Sequence, residues 1–194
     1  NNSEVPYTDI DYKVVTDGAR QLLLGKSPFE RHTFRYSPLL AYLQIPNIVL
    51  HPTMGKLIYA LFDLLVAIVI YALVKSELQS QCRKAVHVLL CKFGKIKSLK
   101  EENLPQITDE RNCPTRIATL SACFWLYNPL TAVISTRGNG DSFSSFFVIL
   151  TIYLLARSEE VSSYQKCWLI FSSGLCHGFS IHLRLYPLLF SLAY

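Results

Sequence analysis

The sequence has little charge for its length and lacks the common nucleotide and hydrolase motifs. Only 17% of its 194 residues are Asp, Glu, Lys or Arg, whereas about a quarter is usual for a soluble domain. No P-loop, dinucleotide-binding fingerprint or G-x-S-x-G motif occurs, so nothing indicates the chemistry that those motifs support. The composition excludes an ordinary soluble globular enzyme.

The six cysteines give no disulfide framework. Cys82, Cys91 and Cys113 lie in a basic stretch that we place in the cytosol, and the other three lie in or beside apolar segments. The spacing of Cys82, His87, Cys91 and Cys113 fits no common zinc pattern. We therefore expect neither disulfides nor a structural zinc site.

Apolar residues are concentrated in four segments, at 57–74, 117–135, 142–156 and from 167 toward 194. The first contains one charged side chain, Asp63, and is long enough to span the hydrocarbon core of a bilayer. Each segment is expected to be helical, because lipid offers the backbone no hydrogen-bond partners. Asp63 should face the helix bundle, since a carboxylate exposed to lipid is costly. We predict an all-α polytopic membrane protein, of which this chain is a fragment.

The basic residues predict the orientation of these helices. Residues 75–116 carry nine Lys or Arg against five acidic residues, whereas residues 1–53 carry five of each. By the positive-inside rule the basic stretch is cytosolic and residues 1–53 lie on the other side. The run at 92–100 should contact anionic lipid rather than nucleic acid. The predicted organisation is an outer segment at 1–53, a transmembrane helix at 54–75, a basic cytosolic loop at 76–116, and further transmembrane helices over 117–194 with an outer loop at 136–141.

The outer segment 1–53 shows three signals for short amphipathic helices that lie in the membrane interface. Thr8 and Asp11 have the spacing of a capping box at the start of a helix that should stop near Gly25. Ser27 precedes a proline and opens a second helix, which would place Arg31 and Arg35 on one face. Ser37 and Pro38 open a third, which must end before Pro46.

Eight polar side chains are predicted to gather at the outer membrane surface. The carboxylates among them are candidates for a general base or a metal ligand, and the arginines are suited to bidentate phosphate contact. The competing interpretations are helix capping for the aspartates, contact with lipid headgroups for the arginines, and a simple pair between two loop residues. The candidates are Asp9, Asp11, Arg31, Arg35, Arg137, Asp141, His182 and Arg184.

Four segments, in order, resemble the GPI mannosyltransferase I family, also called PIG-M. They are YTDIDY at residues 7–12, GKSPFERHTFRYSPLL at 25–40, STRGNGDS at 135–142 and GFSIHLRLYP at 178–187. The 76–115 loop is longer than usual for the family and is interpreted as an insertion.

The resemblance implies a GT-C class glycosyltransferase of the endoplasmic reticulum membrane, with a GT-C-like bundle of transmembrane helices and a lumenal site. Such enzymes transfer mannose from dolichyl-phosphate-mannose to the glucosamine of a glycosylphosphatidylinositol precursor, forming an α1,4 link with inversion. The family's D-x-D falls on Asp9 and Asp11, with Asp9 the expected base. The remaining candidates, among them Arg137 and Arg184, are expected to contact substrate. GT-C enzymes differ in whether a divalent metal takes part, and a small membrane-bound stabilising subunit is the expected partner.

Two alternatives to this function follow from the residues. Another GT-C transferase that uses a dolichyl-phosphate-linked donor would keep the aspartate pair but change the acceptor. A membrane transporter would instead use Asp63, Arg137 and Asp141 to line a pathway, and would need ionisable groups through the full membrane depth. The observed concentration of charge on one side favours the transferase.

Overall fold

The computed structural model describes residues 9–93 and 104–193, and its regular secondary structure over those ranges is helical, without strands. Two short 3-10 segments, Pro28–Glu30 and Tyr186–Leu192, accompany the α-helices. The α-helices are α1 (Ile10–Leu23), α2 (Pro38–Leu43), α3 (Pro46–Val49), α4 (Met54–Phe93), α5 (Leu104–Tyr127), α6 (Pro129–Arg137), α7 (Asp141–Ser158) and α8 (Ser163–Leu183).

The long helices form a bundle in which α7 packs against both α4 and α8, while α4 also packs against α5. Contacts between aromatic rings join α7 to α4 and to α8. The ring centroids of Phe143 on α7 and Phe62 on α4 are 4.6 Å apart, and those of Phe147 on α7 and Phe179 on α8 are also 4.6 Å apart. Both contacts are edge-to-face, an arrangement worth about 0.5–1.5 kcal/mol beyond area burial.

Two helices in the described part are long and apolar enough to cross a membrane, over Met54–Ala85 and Asp141–Ser158. The first and third predicted spans are thus helices of the required length and apolar composition. The second predicted span is a helix pair, Cys113–Tyr127 and Pro129–Arg137, bent by 48°. The bend falls at Asn128, because Pro129 lacks an N–H and the Asn128 side chain caps the new helix instead.

The fourth predicted span, from residue 167 onward, is helical but is not among the membrane-crossing candidates found in the described ranges. Helix α8 carries Lys166, His177 and His182 with several serines and glycines, and these lower its hydropathy. It ends at Leu183, because Arg184 adopts an extended backbone.

Helix α4 runs to Phe93, eighteen residues beyond the predicted end of the first span at 75. Nothing in residues 76–93 breaks a helix, since neither proline nor glycine occurs there. Much of the predicted cytosolic loop is therefore helical, in α4 and at the start of α5. The basic run at 92–100 lies largely outside the described residues. Asp63 is buried, as predicted, at 7% exposure.

The outer segment folds back on itself at one end of the bundle. Helix α1 buries Val14, Val15 and Ala19 in a core that also contains Phe34 and Leu40. The helix ends at Leu23, and Gly25 follows with φ of +72°, which confirms the predicted stop.

Of the helix starts predicted in the outer segment, some agree with the structure and others do not. At α1 the capping residue is Asp9, whose side chain makes no capping hydrogen bond, and Thr8 lies outside the described residues. The Ser27 start is confirmed, but it opens only a 3-10 turn that ends at Glu30. Because Arg31 is extended, the prediction that Arg31 and Arg35 share a helical face is wrong.

The start of the third predicted helix is confirmed, since the Ser37 hydroxyl accepts a hydrogen bond from the Leu39 N–H. The helix α2 that follows ends at Leu43, before Pro46 as predicted.

A buried polar cluster attaches the outer segment to the start of α4. Asn47 donates to the Gln44 side chain and to Thr16 on α1, and its carbonyl oxygen accepts from the Gly55 N–H. Gln44 is completely buried against Gly55. The first turn of α4 is therefore held against α1 and α3.

We predict that Gly55→Ala destabilises the protein. A Cβ at Gly55 would overlap the Gln44 side-chain amide, and the completely buried Gln44 has no space to move into. Overpacking of this kind costs about 1–3 kcal/mol. The thermal unfolding midpoint of the detergent-solubilised full chain should fall by several degrees.

The control for this prediction is Gly174→Ala on α8. No atom lies within 4 Å of a Cβ at Gly174, and alanine is the better helix former. An equal or higher midpoint is expected for this variant. If both variants left the midpoint unchanged, the tight packing at Gly55 would be wrong.

Candidate active site at one end of the helix bundle

A cavity of about 300 Å³ lies between the start of α1 and the end of α6. One side of it carries both aspartates of the D-x-D sequence, and the other carries a guanidinium and an amide. These polar groups come from segments about 125 residues apart in the sequence. The lining residues are Asp9, Ile10, Asp11, Ile134, Arg137 and Asn139.

Asp9 forms an ion pair inside the protein. Its Oδ2 lies 2.5 Å from the Nζ of Lys56, which belongs to the first turn of α4. Its Oδ1 is buried and has no hydrogen-bond partner in the described ranges. Buried acceptors are normally satisfied, so this oxygen is suited to receive a hydrogen bond from a ligand in the cavity.

Asp11 is more exposed and has a neutral partner. The Tyr36 hydroxyl donates to its Oδ1 at 2.5 Å. Burial, and after it the hydrogen bond to the Asp11 carboxylate, raises the pKa of the Tyr36 phenol to about 12. Tyr36 therefore remains protonated, and able to donate, throughout the physiological pH range.

Arg184 connects three segments around the cavity. Its guanidinium lies 2.8 Å from the Asp141 carboxylate at the start of α7 and donates to the Asn139 carbonyl at 2.7 Å. The same guanidinium lies 5.4 Å from the centre of the Tyr36 ring, within cation–π range. Asn139 in turn donates from its side chain to Asp141 at 2.7 Å.

The loop between α6 and α7 can approach α1 only because of a glycine. Gly138 has φ of +74°, and a Cβ there would overlap the Tyr12 ring. Glycine meets both requirements, since it adopts the left-handed conformation readily and has no side chain. This close contact positions Arg137 and Asn139 opposite the aspartates.

The other predicted site residues lie away from the cavity lining. His182 contacts the Ser37 hydroxyl at 3.1 Å, which connects the end of α8 to the start of α2. Arg31 forms an ion pair with Asp17 on α1. Arg35 is exposed, with no partner in the described part of the chain.

Sequence reasoning did not identify Lys56, Tyr36 or Asn139 as site residues. Lys56 is read from sequence as a basic residue at a span end, where contact with lipid headgroups is the usual role. Tyr36 lies within a segment that resembles the family, but its contact with Asp11 spans 25 residues and depends on the tertiary fold. Asn139 lies beside Gly138 and Gly140, which identify a turn but not the direction of the side chain.

Potential metal ligands are sparse in the described part of the chain. No group of three or more His, Cys, Asp or Glu side chains lies close enough there to hold a metal ion. The cysteines whose side chains are described form no disulfide; they are Cys82, Cys113, Cys123, Cys167 and Cys176.

We predict that Arg184→Met lowers stability, because it leaves Asp141 without its cation and the Asn139 carbonyl without a donor. Hydrogen bonds to charged groups contribute about 1.5–3 kcal/mol. The thermal midpoint of the full chain should fall by several degrees, whereas Arg35→Met should leave it unchanged. Equal midpoints for the two variants would contradict the connecting role of Arg184.

Comparison with known proteins identifies one family. The family described as "Mannosyltransferase (PIG-M)" matches residues 134–194, which include α7, α8 and Arg184. No solved structure matches the chain.

Similarity to individual proteins extends over nearly the whole chain. GPI mannosyltransferase 1 of Dictyostelium discoideum is 31% identical over 98% of the chain and 34% of its own length. The protein of that name from Kluyveromyces lactis is 34% identical over 97% of the chain and 36% of its own length. A Danio rerio relative, the catalytic subunit of GPI alpha-1,4-mannosyltransferase I, is 31% identical over 97% of the chain and 37% of its own length.

The chain thus spans about a third of the length of the relatives it matches. Within that third, the matched residues include the D-x-D segment, the loop that follows α6 and the end of α8, which together form the cavity and its support. Over nearly its whole length the chain is therefore similar to the PIG-M family of mannosyltransferases.

Proposed function

We propose that the cavity between α1 and α6 is the active site at which the protein transfers the first mannose to a glycosylphosphatidylinositol precursor. The donor is dolichyl-phosphate-mannose, the acceptor is the glucosamine of the precursor, and the link formed is α1,4. The observation that carries this proposal is the buried Oδ1 of Asp9, which has no hydrogen-bond partner among the described residues and lies in a cavity that Arg137 also lines.

The reaction is an inverting single displacement. The acceptor hydroxyl oxygen attacks the anomeric carbon of mannose while the bond from that carbon to the dolichyl phosphate oxygen breaks. Asp9 accepts the hydroxyl proton at Oδ1, which requires that oxygen to be within hydrogen-bond reach of the acceptor. Asp11, fixed by Tyr36, orients the acceptor through its remaining lone pairs.

The leaving group carries a phosphate charge that a cation should stabilise. Arg137 lines the cavity opposite the two aspartates, and a guanidinium is suited to bidentate phosphate contact. We assign this role to Arg137 because it lines the cavity, whereas Arg184 and Arg31 lie outside the lining.

We place the site on the lumenal face of the endoplasmic reticulum membrane. Supporting this, the polar groups around the cavity come from segments that the charge distribution assigns to the side opposite the cytosol. The description of the Danio rerio relative as a catalytic subunit supports a second, membrane-bound subunit. A transporter is disfavoured, since Asp63 is the one carboxylate buried within the described membrane-crossing helices.

We predict that Asp9→Asn and Asp11→Asn abolish function in cells that lack their own first GPI mannosyltransferase. Each variant of the full chain is expressed at matched levels, and GPI-anchored surface protein and accumulated glucosaminyl-phosphatidylinositol are measured. Loss of a general base lowers rates by about 10²–10⁴-fold, so Asp9→Asn should give no more surface protein than the empty vector.

The matched control is Asp17→Asn, which removes a carboxylate from the same helix, outside the cavity lining, and should restore surface protein as well as wild type. Failure of the wild type to rescue, with its protein correctly inserted, would contradict the proposed acceptor. Rescue by Asp9→Asn would contradict the assignment of the base.

A further inference from the structure

We infer that Lys56 is a positioning residue for Asp9, holding one carboxylate oxygen so that the other faces the acceptor hydroxyl. The inference rests on the proposed function, because it specifies how the base of that reaction is oriented. It adds to the site a residue from α4, which lies outside both segments that line the cavity.

The contact between the two side chains is sheltered from solvent. The Lys56 side chain is 29% exposed and that of Asp9 is 18% exposed, and the ammonium lies 2.5 Å from Oδ2. The same ammonium lies 5.2 Å from the centre of the Tyr12 ring. Ion pairs that are partly withdrawn from water are screened less by salt than surface pairs. The pair can therefore hold the Asp9 carboxylate in one orientation.

Lys56 is held in place independently of Asp9. The preceding residue, Gly55, donates its N–H to the buried Asn47 side chain, and Gln44 packs against it. Tyr12 donates its hydroxyl to the Pro52 carbonyl at 2.7 Å, just before α4 begins. The backbone that carries Lys56 is therefore held by contacts that do not involve Asp9.

The position of Asp9 argues against a merely structural pair. Asp at the N-cap of a helix ordinarily accepts a hydrogen bond from a backbone N–H of the first turn. Asp9 occupies the N-cap of α1 but makes no such bond. Its carboxylate instead contacts Lys56 through Oδ2, and Oδ1 is buried with no hydrogen-bond partner among the described residues. The ion pair thus takes the place of the cap, and Oδ1 is suited to accept a hydrogen bond from substrate.

The chain contains a closely matched control lysine. Lys75 also lies on α4, and its ammonium sits 5.3 Å from the centre of the Tyr71 ring and 3.1 Å from that hydroxyl. Lys56 and Lys75 therefore share a helix and a cation–π contact with tyrosine. They differ in that Lys56 has an aspartate from the cavity as its partner.

The test measures kcat and KM for mannose transfer to glucosaminyl-phosphatidylinositol by the full chain in membranes. The variants are Lys56→Met, Lys56→Arg and Lys75→Met, each with its expression level and thermal midpoint recorded. A misplaced catalytic group can lower a rate by about 10²-fold. Lys56→Met should lose at least about tenfold in kcat, with the acceptor KM within about twofold of wild type.

The two other variants complete the expected result. Lys56→Arg keeps the positive charge beside Oδ2 and should retain at least about a third of the wild-type kcat, while Lys75→Met should match wild type. A purely structural role would instead lower the thermal midpoint and the amount of active enzyme, with kcat per folded molecule unchanged.

Three results would overturn the inference while leaving the proposed function in place. They are near-wild-type kcat for Lys56→Met, equal losses for Lys56→Met and Lys75→Met, and an Lys56→Arg variant as inactive as Lys56→Met. If Lys56→Met does not accumulate, Lys56→Gln takes its place with the same expected loss, and full activity of that variant overturns the inference. Absence of transfer by the wild type would instead contradict the proposed function itself.

Discussion

The arrangement of the site depends on one guanidinium, because Arg184 joins segments that are far apart in the sequence. It pairs with Asp141 at the start of α7, bonds the backbone of Asn139 in the loop after α6, and lies over the ring of Tyr36 in the outer segment. Tyr36 in turn holds Asp11. The ends of α1, α6, α7 and α8 are thereby kept together, and the cavity lies among them.

The two aspartates of D-x-D have different surroundings, and the difference suggests different tasks. Asp9 is partly buried against a cation, and one of its oxygens has no hydrogen-bond partner in the described part of the chain. Asp11 is exposed and receives a hydrogen bond from a neutral phenol. A carboxylate with a sheltered, unsatisfied oxygen is suited to accept a proton, whereas an exposed one held by a donor is suited to orient a polyol.

The parts of the fold that depend on local sequence were predictable. The helix end before Gly25 and the helix starts at Ser27 and Ser37 follow from the backbone preferences of a few residues. The apolar helices over 57–74 and 142–156 follow from hydropathy. Helix capping, the competing interpretation for Asp9, shows where local reasoning ended, because the Asp9 carboxylate contacts a lysine 47 residues away.

The site was predictable in part, because the charge distribution places the ends of several helices on the same side of the membrane, where their side chains can meet. This reasoning identified Asp9, Asp11 and Arg137, which line the cavity, and Arg184, which supports it. It did not distinguish them from Arg31 and Arg35, which lie away from the cavity because the chain becomes extended after a 3-10 turn that ends at Glu30. Lys56 and Tyr36 emerged only from tertiary contacts.

The most direct test of the central claim, that this cavity holds the acceptor, is photocrosslinking from its wall. A benzophenone amino acid replaces Ile134, which lines the cavity, or Leu175 on an exposed face of α8, in the active full chain. Radiolabelled glucosaminyl-phosphatidylinositol should crosslink to the variant substituted at Ile134, and unlabelled acceptor should reduce that crosslinking. The variant substituted at Leu175 should show only background labelling. Equal labelling at both positions, or none at Ile134 in an active enzyme, would contradict the account.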